Sequence, residues 1–358
     1  MIQQARRGNA GRRVIPPARV GLAGLMLAGA LLAGPWTVPE GAAGERTKVT
    51  MAQSAPGLSF APVYLARGRG FFEEEGIQLT WELVRGGAAA AAALVSGDVQ
   101  AMVSASQDPI QTVEKGLDVL VIGGVSTSLT MNWGVAKKFL AGKPVTVKSP
   151  IRDRVQALKG SRIGVASVAG PPTQFGRYVF KLYGLNPERD AEFSVVGMGA
   201  ARVAALKRGL VDVIIGGIPD AEVTEHEGYG LVWINMAEDA PIFKEFMYET
   251  LSMKREFAER QPRVAEGVAR ALGRANSFIL DSLPEAKQVL QKMMPDLAPA
   301  VLELAMNNAR GAFGRDGRMT ETMWRNALTV FQASGLIKKP LSPAEGALWT
   351  NRYLRTAP

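Results

Sequence analysis

Arg85-Gly86-Gly87 opens an alanine run over residues 88–93, and Leu94-Val95-Ser96-Gly97-Asp98-Val99-Gln100-Ala101-Met102-Val103-Ser104-Ala105-Ser106-Gln107-Asp108 follows. This spacing predicts a glycine-opened helix, a stop at Gly97, a short apolar strand and a polar loop. The same pattern returns in Gly197-Met198-Gly199-Ala200-Ala201-Arg202-Val203-Ala204-Ala205-Leu206, then Lys207-Arg208-Gly209-Leu210-Val211-Asp212-Val213-Ile214-Ile215, then Gly216-Gly217-Ile218-Pro219-Asp220. Leu94 aligns with Leu206, Gly97 with Gly209 and Asp108 with Asp220. The constant offset of about 112 residues is too long for a solenoid repeat and suits two copies of one α/β domain. Two similar lobes joined by a hinge enclose a cleft.

The flanking sequence extends each copy. In the first, residues 48–52 predict a strand and residues 53–59 a loop. Residues 60–70 predict a helix with Pro62 in its first turn, and residues 76–84 a second strand. After the motif, Asp108-Pro109 reads as N-cap and first turn of a helix, and residues 119–123 as a fourth strand. This β-α-β-α-β-α-β order predicts a mostly parallel sheet with helices on both faces. Residues 127–137 read as a crossover strand and residues 141–158 as loop-rich. The order then restarts at Ile163-Gly164-Val165-Ala166, with a loop over 167–173, a helix over 174–183 and strands over 193–196 and 231–234. Residues 248–253 read as the return crossover. Helices over 262–281, 284–294, 299–309 and 320–335 are expected to pack on the first lobe. The expected layout is residues 45–130 with 248–358 in lobe I and residues 131–247 in lobe II.

Residues 1–44 read as an export signal. Arg6, Arg7, Arg12, Arg13 and Arg19 form a basic start, residues 20–34 an apolar core, and Gly41-Ala42-Ala43-Gly44 a small-residue cleavage region. Arg12-Arg13 leaves both the general and the twin-arginine export routes open. The apolar fraction of 47% supports a sizeable core. The formal charge of +9 includes the basic leader, and no dense Lys/Arg run or aromatic-interleaved basic patch follows it, so nucleic-acid binding is not expected. The chain has no cysteine, which excludes thiol catalysis, disulfides, thiolate metal sites and a lipid anchor on an N-terminal Cys.

In an open α/β sheet, ligands sit beyond the carboxyl ends of the strands. Here those ends are rich in Gly, Ser, Thr, Pro and Gln, and several enter helix N-termini, where free N–H groups favour polar or anionic groups. The candidate ligand-binding residues are Ser54, Ser59, Phe60, Arg85, Gly87, Ser104, Ser106, Gln107, Asn132, Ser167, Pro171, Thr173, Gln174, Gly199, Gly217 and Asp220. Phe60, Trp133 and Phe175 are the candidate apolar walls. Gly86, Gly87, Gly197 and Gly199 serve equally well as plain turn residues, and Asp108 and Asp220 as simple N-caps. No phosphate-binding loop or complete dinucleotide fingerprint is present. The one histidine, His226, lies between glutamates on a polar helix and reads as a surface residue. No catalytic residue, metal site or cofactor is expected.

Ser59-Phe60-Ala61-Pro62-Val63-Tyr64-Leu65-Ala66 and Gly70-Phe71-Phe72-Glu73-Glu74-Glu75-Gly76-Ile77 resemble the opening strand–helix signature of the periplasmic solute-binding proteins of nitrate/sulfonate/taurine-type ABC transporters. Their shared domain also resembles the enzyme that makes the pyrimidine precursor of thiamine. Ala93-Leu94-Val95-Ser96-Gly97-Asp98-Val99 and Leu158-Lys159-Gly160-Ser161-Arg162-Ile163-Gly164-Val165 are similar to its other hallmarks. The resemblance implies a two-lobed type II periplasmic binding fold, a clamp that closes on a small polar or anionic organic solute. It also implies a permease partner, a monomeric state and a periplasmic location. The same clamp serves two alternatives, a precursor-forming enzyme and a ligand sensor. The cysteine-rich segment and reactive histidine of that enzyme have no counterpart here.

Overall fold

The computed structural model describes residues 46–354, so the expected export signal lies outside the described residues. In chain order the first strands are β1 (Thr47–Gln53), β2 (Ile77–Leu83), β3 (Ala101–Ala105), β4 (Val119–Ser126) and β5 (Met131–Ala136). The others are β6 (Ser161–Val165), β7 (Ala191–Val195), β8 (Val213–Gly217), β9 (Gly230–Asn235) and β10 (Glu249–Lys254). They form two sheets of one plan, ordered β2-β1-β3-β10-β4 and β7-β6-β8-β5-β9. β1 runs parallel to β2 and β3, and β6 parallel to β7 and β8.

The two crossover strands do more than connect. β5 is inserted antiparallel between β8 and β9, and β10 antiparallel between β3 and β4. Each segment leaves one sheet and becomes an interior strand of the other. Every residue of β5 is buried, as a strand covered on both faces requires.

The helices that place the site are α1 (Ala61–Gly68), α2 (Gly87–Ser96), α3 (Gln107–Glu114), α4 (Pro171–Leu182), α5 (Ala200–Lys207) and α6 (Asp220–His226). α2 is stopped by Gly97 in the left-handed region, φ 94°, and its alanine face lets it lie close to Ala52 and Met102 through Ala90 and Leu94. α3 begins at Gln107, one residue before the expected N-cap, and Asp108 lies inside its first turn. α4 begins at Pro171, before the expected Gln174, because proline suits a first helical turn. The stretch read as loop-rich contains a helix, Ile151–Gln156, fixed by Arg154, which donates to the Trp233 carbonyl at 2.9 Å and pairs with Asp239.

Four more helices complete the chain: α7 (Pro262–Asp281), α8 (Leu283–Met293), α9 (Pro299–Ala309) and α10 (Glu321–Ala333). α7, α8 and α9 pack on the first sheet through Val268, Leu272, Leu290 and Met306. α10 departs from expectation. Its Trp324, Leu328 and Phe331 join the core around the second sheet, with Phe331 stacked on Phe175 of α4 at 5.7 Å. The segment after it returns to the first sheet, where the Thr350 N–H donates to the Val121 carbonyl at 2.9 Å. No helix among the described residues is long and apolar enough to cross a membrane.

Candidate functional site

The carboxyl ends of β1 and β8 meet. The Leu58 N–H donates to the Ile218 carbonyl at 3.3 Å, and Ile218 is buried in the core of the first sheet. The Ser59 hydroxyl donates to the Thr130 carbonyl at 3.3 Å, and a Cβ on Gly217 would stand 3.6 Å from that hydroxyl oxygen. The structure therefore brings Ser59 and Gly217 together, in a contact that holds the two loops against each other.

Several other candidate residues have internal partners. The Ser106 hydroxyl donates to the Met247 carbonyl at 2.7 Å and its N–H to the Tyr248 carbonyl at 2.6 Å, so it anchors the return crossover. The Asn132 amide donates to Glu222 at 2.5 Å. The Thr173 hydroxyl donates to the Ser167 carbonyl at 2.6 Å, closing the loop before α4, and Gln174 donates weakly to the Val168 carbonyl at 3.4 Å. The carbonyl of Ser54 accepts the Gly86 N–H at 2.9 Å and ties the end of β1 to the entry of α2. Phe60, Trp133 and Phe175 are core residues, not cleft walls: Phe60 packs with the first sheet, Trp133 stacks on Phe180, and Phe175 sits among Phe243, Phe246 and Phe331. Arg85 and Ser167 are exposed, and Pro171 is half-buried.

The duplicated motif produces two polar centres. In the first lobe the Asp108 carboxyl lies against Gly87, at the start of α2, where any Cβ would overlap it. Burial raises its pKa to about 7, opposed by hydrogen bonds from Ser104 and Gln107. Glu249 lies at the start of β10, and burial, then the Asp108 charge, hold its pKa well above the usual range, with a hydrogen bond from Tyr248 opposing. The Tyr248 hydroxyl is raised by burial, then by Glu249 and Asp108, while Arg202 pulls the other way. In the second lobe Arg202 of α5 is buried. Its guanidinium donates to the Ile215 carbonyl at 2.5 Å and to the Gly197 carbonyl at 3.3 Å, and lies 3.5 Å from Asp220. It fits because position 216 is glycine; a Cβ there would overlap the guanidinium. Burial raises the Asp220 pKa, with Arg202 and the Gly199 N–H opposing.

Both Asp108 and Asp220 thus sit in the first turn of their helix and turn back onto the glycine-opened helix of their own copy, instead of serving as N-caps. Arg202, Tyr248 and Glu249 are absent from the sequence-derived candidates. Arg202 had a signal, a lone cation within an alanine-rich motif. Glu249 had none, because only the return crossover brings it beside Asp108.

Among the described residues no group of three or more His, Asp or Glu could hold a metal ion, and His226 is exposed at the end of α6. Two surface depressions lie elsewhere. One, around Lys143, Asp153 and Lys159, is at the amino end of β6; the other runs along α4 to Ser334.

The NMT1-like family matches residues 42–294. YtlA of Bacillus subtilis (strain 168) is 23% identical over 297 residues, covering 82% of this chain and 85% of YtlA. A solved structure from Bordetella bronchiseptica RB50 superposes with a TM-score of 0.67 at 24% identity, over 87% of this chain and 96% of that one. The alkanesulfonate-binding protein SsuA from Xanthomonas axonopodis pv. citri, bound to MOPS, superposes with a TM-score of 0.64 at 18% identity, over 85% of this chain and 99% of SsuA. The two mixed five-stranded sheets flanked by helices are the two-lobed α/β fold of the periplasmic binding proteins. With its match extending over most of the sequence, the chain belongs to the NMT1-like family.

Proposed function

We propose that this protein is an extracytoplasmic solute-binding protein that captures a small polar or anionic organic solute between its lobes and delivers it to an ABC transporter. One observation carries the reading: the repeat sets two unlike polar centres at equivalent places, Asp108 against Gly87 in the first copy and Asp220 with Arg202 in the second. Such a pair of centres suits recognition of a polar solute, so the reading is of a receptor. The names of relatives support it: SsuA is an alkanesulfonate-binding protein, and the Bacillus relative is called "Putative binding protein YtlA".

In this proposal lobe I comprises residues 45–130 and 248–358, with α10 packed across onto lobe II, and lobe II residues 131–247. The leader is removed on export to the periplasm, and the protein acts there as a monomer. The solute touches Ser54, Gly87, Ser104, Gln107 and Gly199, together with Asp108, Glu249, Tyr248, Arg202 and Asp220. Native mass spectrometry of protein purified without denaturation tests the reading. One small adduct per chain, lost on mild activation and absent from Ser104→Trp, is the expected result. Normal solute retention by a folded Ser104→Trp variant would overturn the site.

A further inference from the structure

The repeat departs from itself at a core position. At the offset of about 112 residues, Glu222 of α6 corresponds to Ile110 of α3, which is fully buried among apolar side chains. Glu222 is fully buried too, so the second copy places a carboxyl where the first has a hydrocarbon. A buried carboxyl needs partners. Its Oε1 accepts the Asn132 amide of β5 at 2.5 Å and the Asn308 amide of α9 at 3.4 Å. Its Oε2 is buried with no hydrogen-bond partner among the described residues, and so is the Oδ1 of Asn132. Two unmatched acceptors on side chains already in contact call for one donor, which a proton on the carboxyl supplies.

The third partner gives the cluster its reach. α9 is anchored in the core of the first sheet by Leu302, Ala305 and Met306. Near its end, the Asn308 side chain meets Glu222 and the Asn308 carbonyl accepts the Asn235 amide of β9 at 3.0 Å, so one residue holds lobe II at two points. Burial raises the Glu222 pKa, opposed by its own N–H and the two amides, and the Asp220 charge raises it further. The other charged groups on the elements packed around it are engaged elsewhere: Asp220 with Arg202, Glu225 with the Val232 N–H, Lys207 with Glu227, and Glu303 of α9 with Lys287. His226 is exposed, and β5, β8 and β9 carry no charged residue.

We propose that Glu222, Asn132 and Asn308 form a proton-dependent clasp that ties α9 to lobe II and limits how freely the two lobes move. With the proton on Oε2, the carboxyl offers a donor and an acceptor to an amide that offers the same. As an ion, Glu222 leaves the Asn132 oxygen unmatched and buries a charge, and the clasp loosens. The clasp rests on the two-lobed fold and goes beyond the solute-binding reading, which stands or falls separately.

The test uses the absence of cysteine. Lys115→Cys and Arg208→Cys place one spin label at an exposed site on each lobe of the full-length, solute-free protein. Pulsed dipolar spectroscopy reads the distribution of distances between the labels from about pH 5 to about pH 8. A loosened Glu222 has the ordinary carboxyl pKa, so the loosened population should grow with pH, by up to about tenfold per unit until the clasped pKa is passed. Glu222→Gln keeps a donor and an acceptor at every pH and should hold the narrow, low-pH distribution throughout. Asn308→Ala should show the broad, high-pH distribution throughout. A parent distribution that does not change with pH, or the same change in Glu222→Gln, would overturn the clasp. If circular dichroism shows that Glu222→Gln does not fold, Asn308→Ala decides: a distribution that follows the parent's overturns the clasp, and a broad one at every pH supports it.

Discussion

The Asp108 carboxyl lies against the α-carbon of Gly87, in the volume that any side chain at position 87 would fill. Gly87→Ala is therefore expected to displace the carboxyl and destabilise the protein by about 1–3 kcal/mol, the range for overpacking a closed site. Urea denaturation measures the loss. Adding Asp108→Gly should recover part of it, because the colliding group is then gone; full additivity of the two changes would show that the contact is not what limits position 87.

The pH dependence of stability follows from the same carboxyl. The Asp108 pKa of about 7 lies above the unfolded value of about 3.9, so across that interval the native state holds a proton that the unfolded chain has released. Stability falls as pH rises from about 4 to about 7, then levels off, by an amount on the order of 4 kcal/mol for this group. Glu249, whose pKa is also raised, acts in the same direction, while Tyr248 is the other ionisable group coupled to the pair. Asp108→Asn should flatten the slope in denaturation midpoints measured from about pH 5 to about pH 8. An unchanged slope would assign the proton elsewhere.

Arg202 depends on Gly216 for space and gives Asp220 its only cation among the described residues. Arg202→Ala strands a mostly buried carboxylate and is expected to cost about 3–5 kcal/mol. Gly216→Ala should cost a similar amount by expelling the guanidinium. The double variant should be much less destabilised than the sum, since the second change has nothing left to remove. Chemical denaturation of the four proteins completes the cycle.

Phe331 is fully buried, stacked on Phe175 and edge-on to Phe246 at 5.6 Å. Phe331→Ala should cost about 3–5 kcal/mol by transfer and cavity terms together. Loss of near-ultraviolet circular dichroism with retained far-ultraviolet signal at intermediate denaturant would locate the damage in that aromatic core.

The repeat made the architecture legible. Gly97 with Gly209 and Asp108 with Asp220 pointed to two lobes of one plan, which the two five-stranded sheets bear out. The fate of the crossovers was not legible, because strands buried on both faces carry no alternating pattern; β5 and β10 read as connectors and are interior strands. Several hydroxyls and amides among the candidate ligand contacts have internal partners. Ser59, Ser106, Asn132 and Thr173 have the right chemistry, yet each finds a nearer partner once the backbone closes around it. Conversely Arg202 was visible in the alignment of the two copies, opposite Ala90, while Glu249 becomes adjacent to Asp108 only through tertiary structure.

The insertion of β10 between β3 and β4 also fixes an order in time. A ribosome that has made β1 to β4 has produced a first sheet with a missing middle: β3 and β4 have no ladder to share until Glu249–Lys254 emerges. The second sheet, built wholly from β5 to β9, has all its strands earlier. The lobe encoded first is therefore the lobe completed last, and the growing chain carries the unpaired edges of β3 and β4 while residues 127–248 are made.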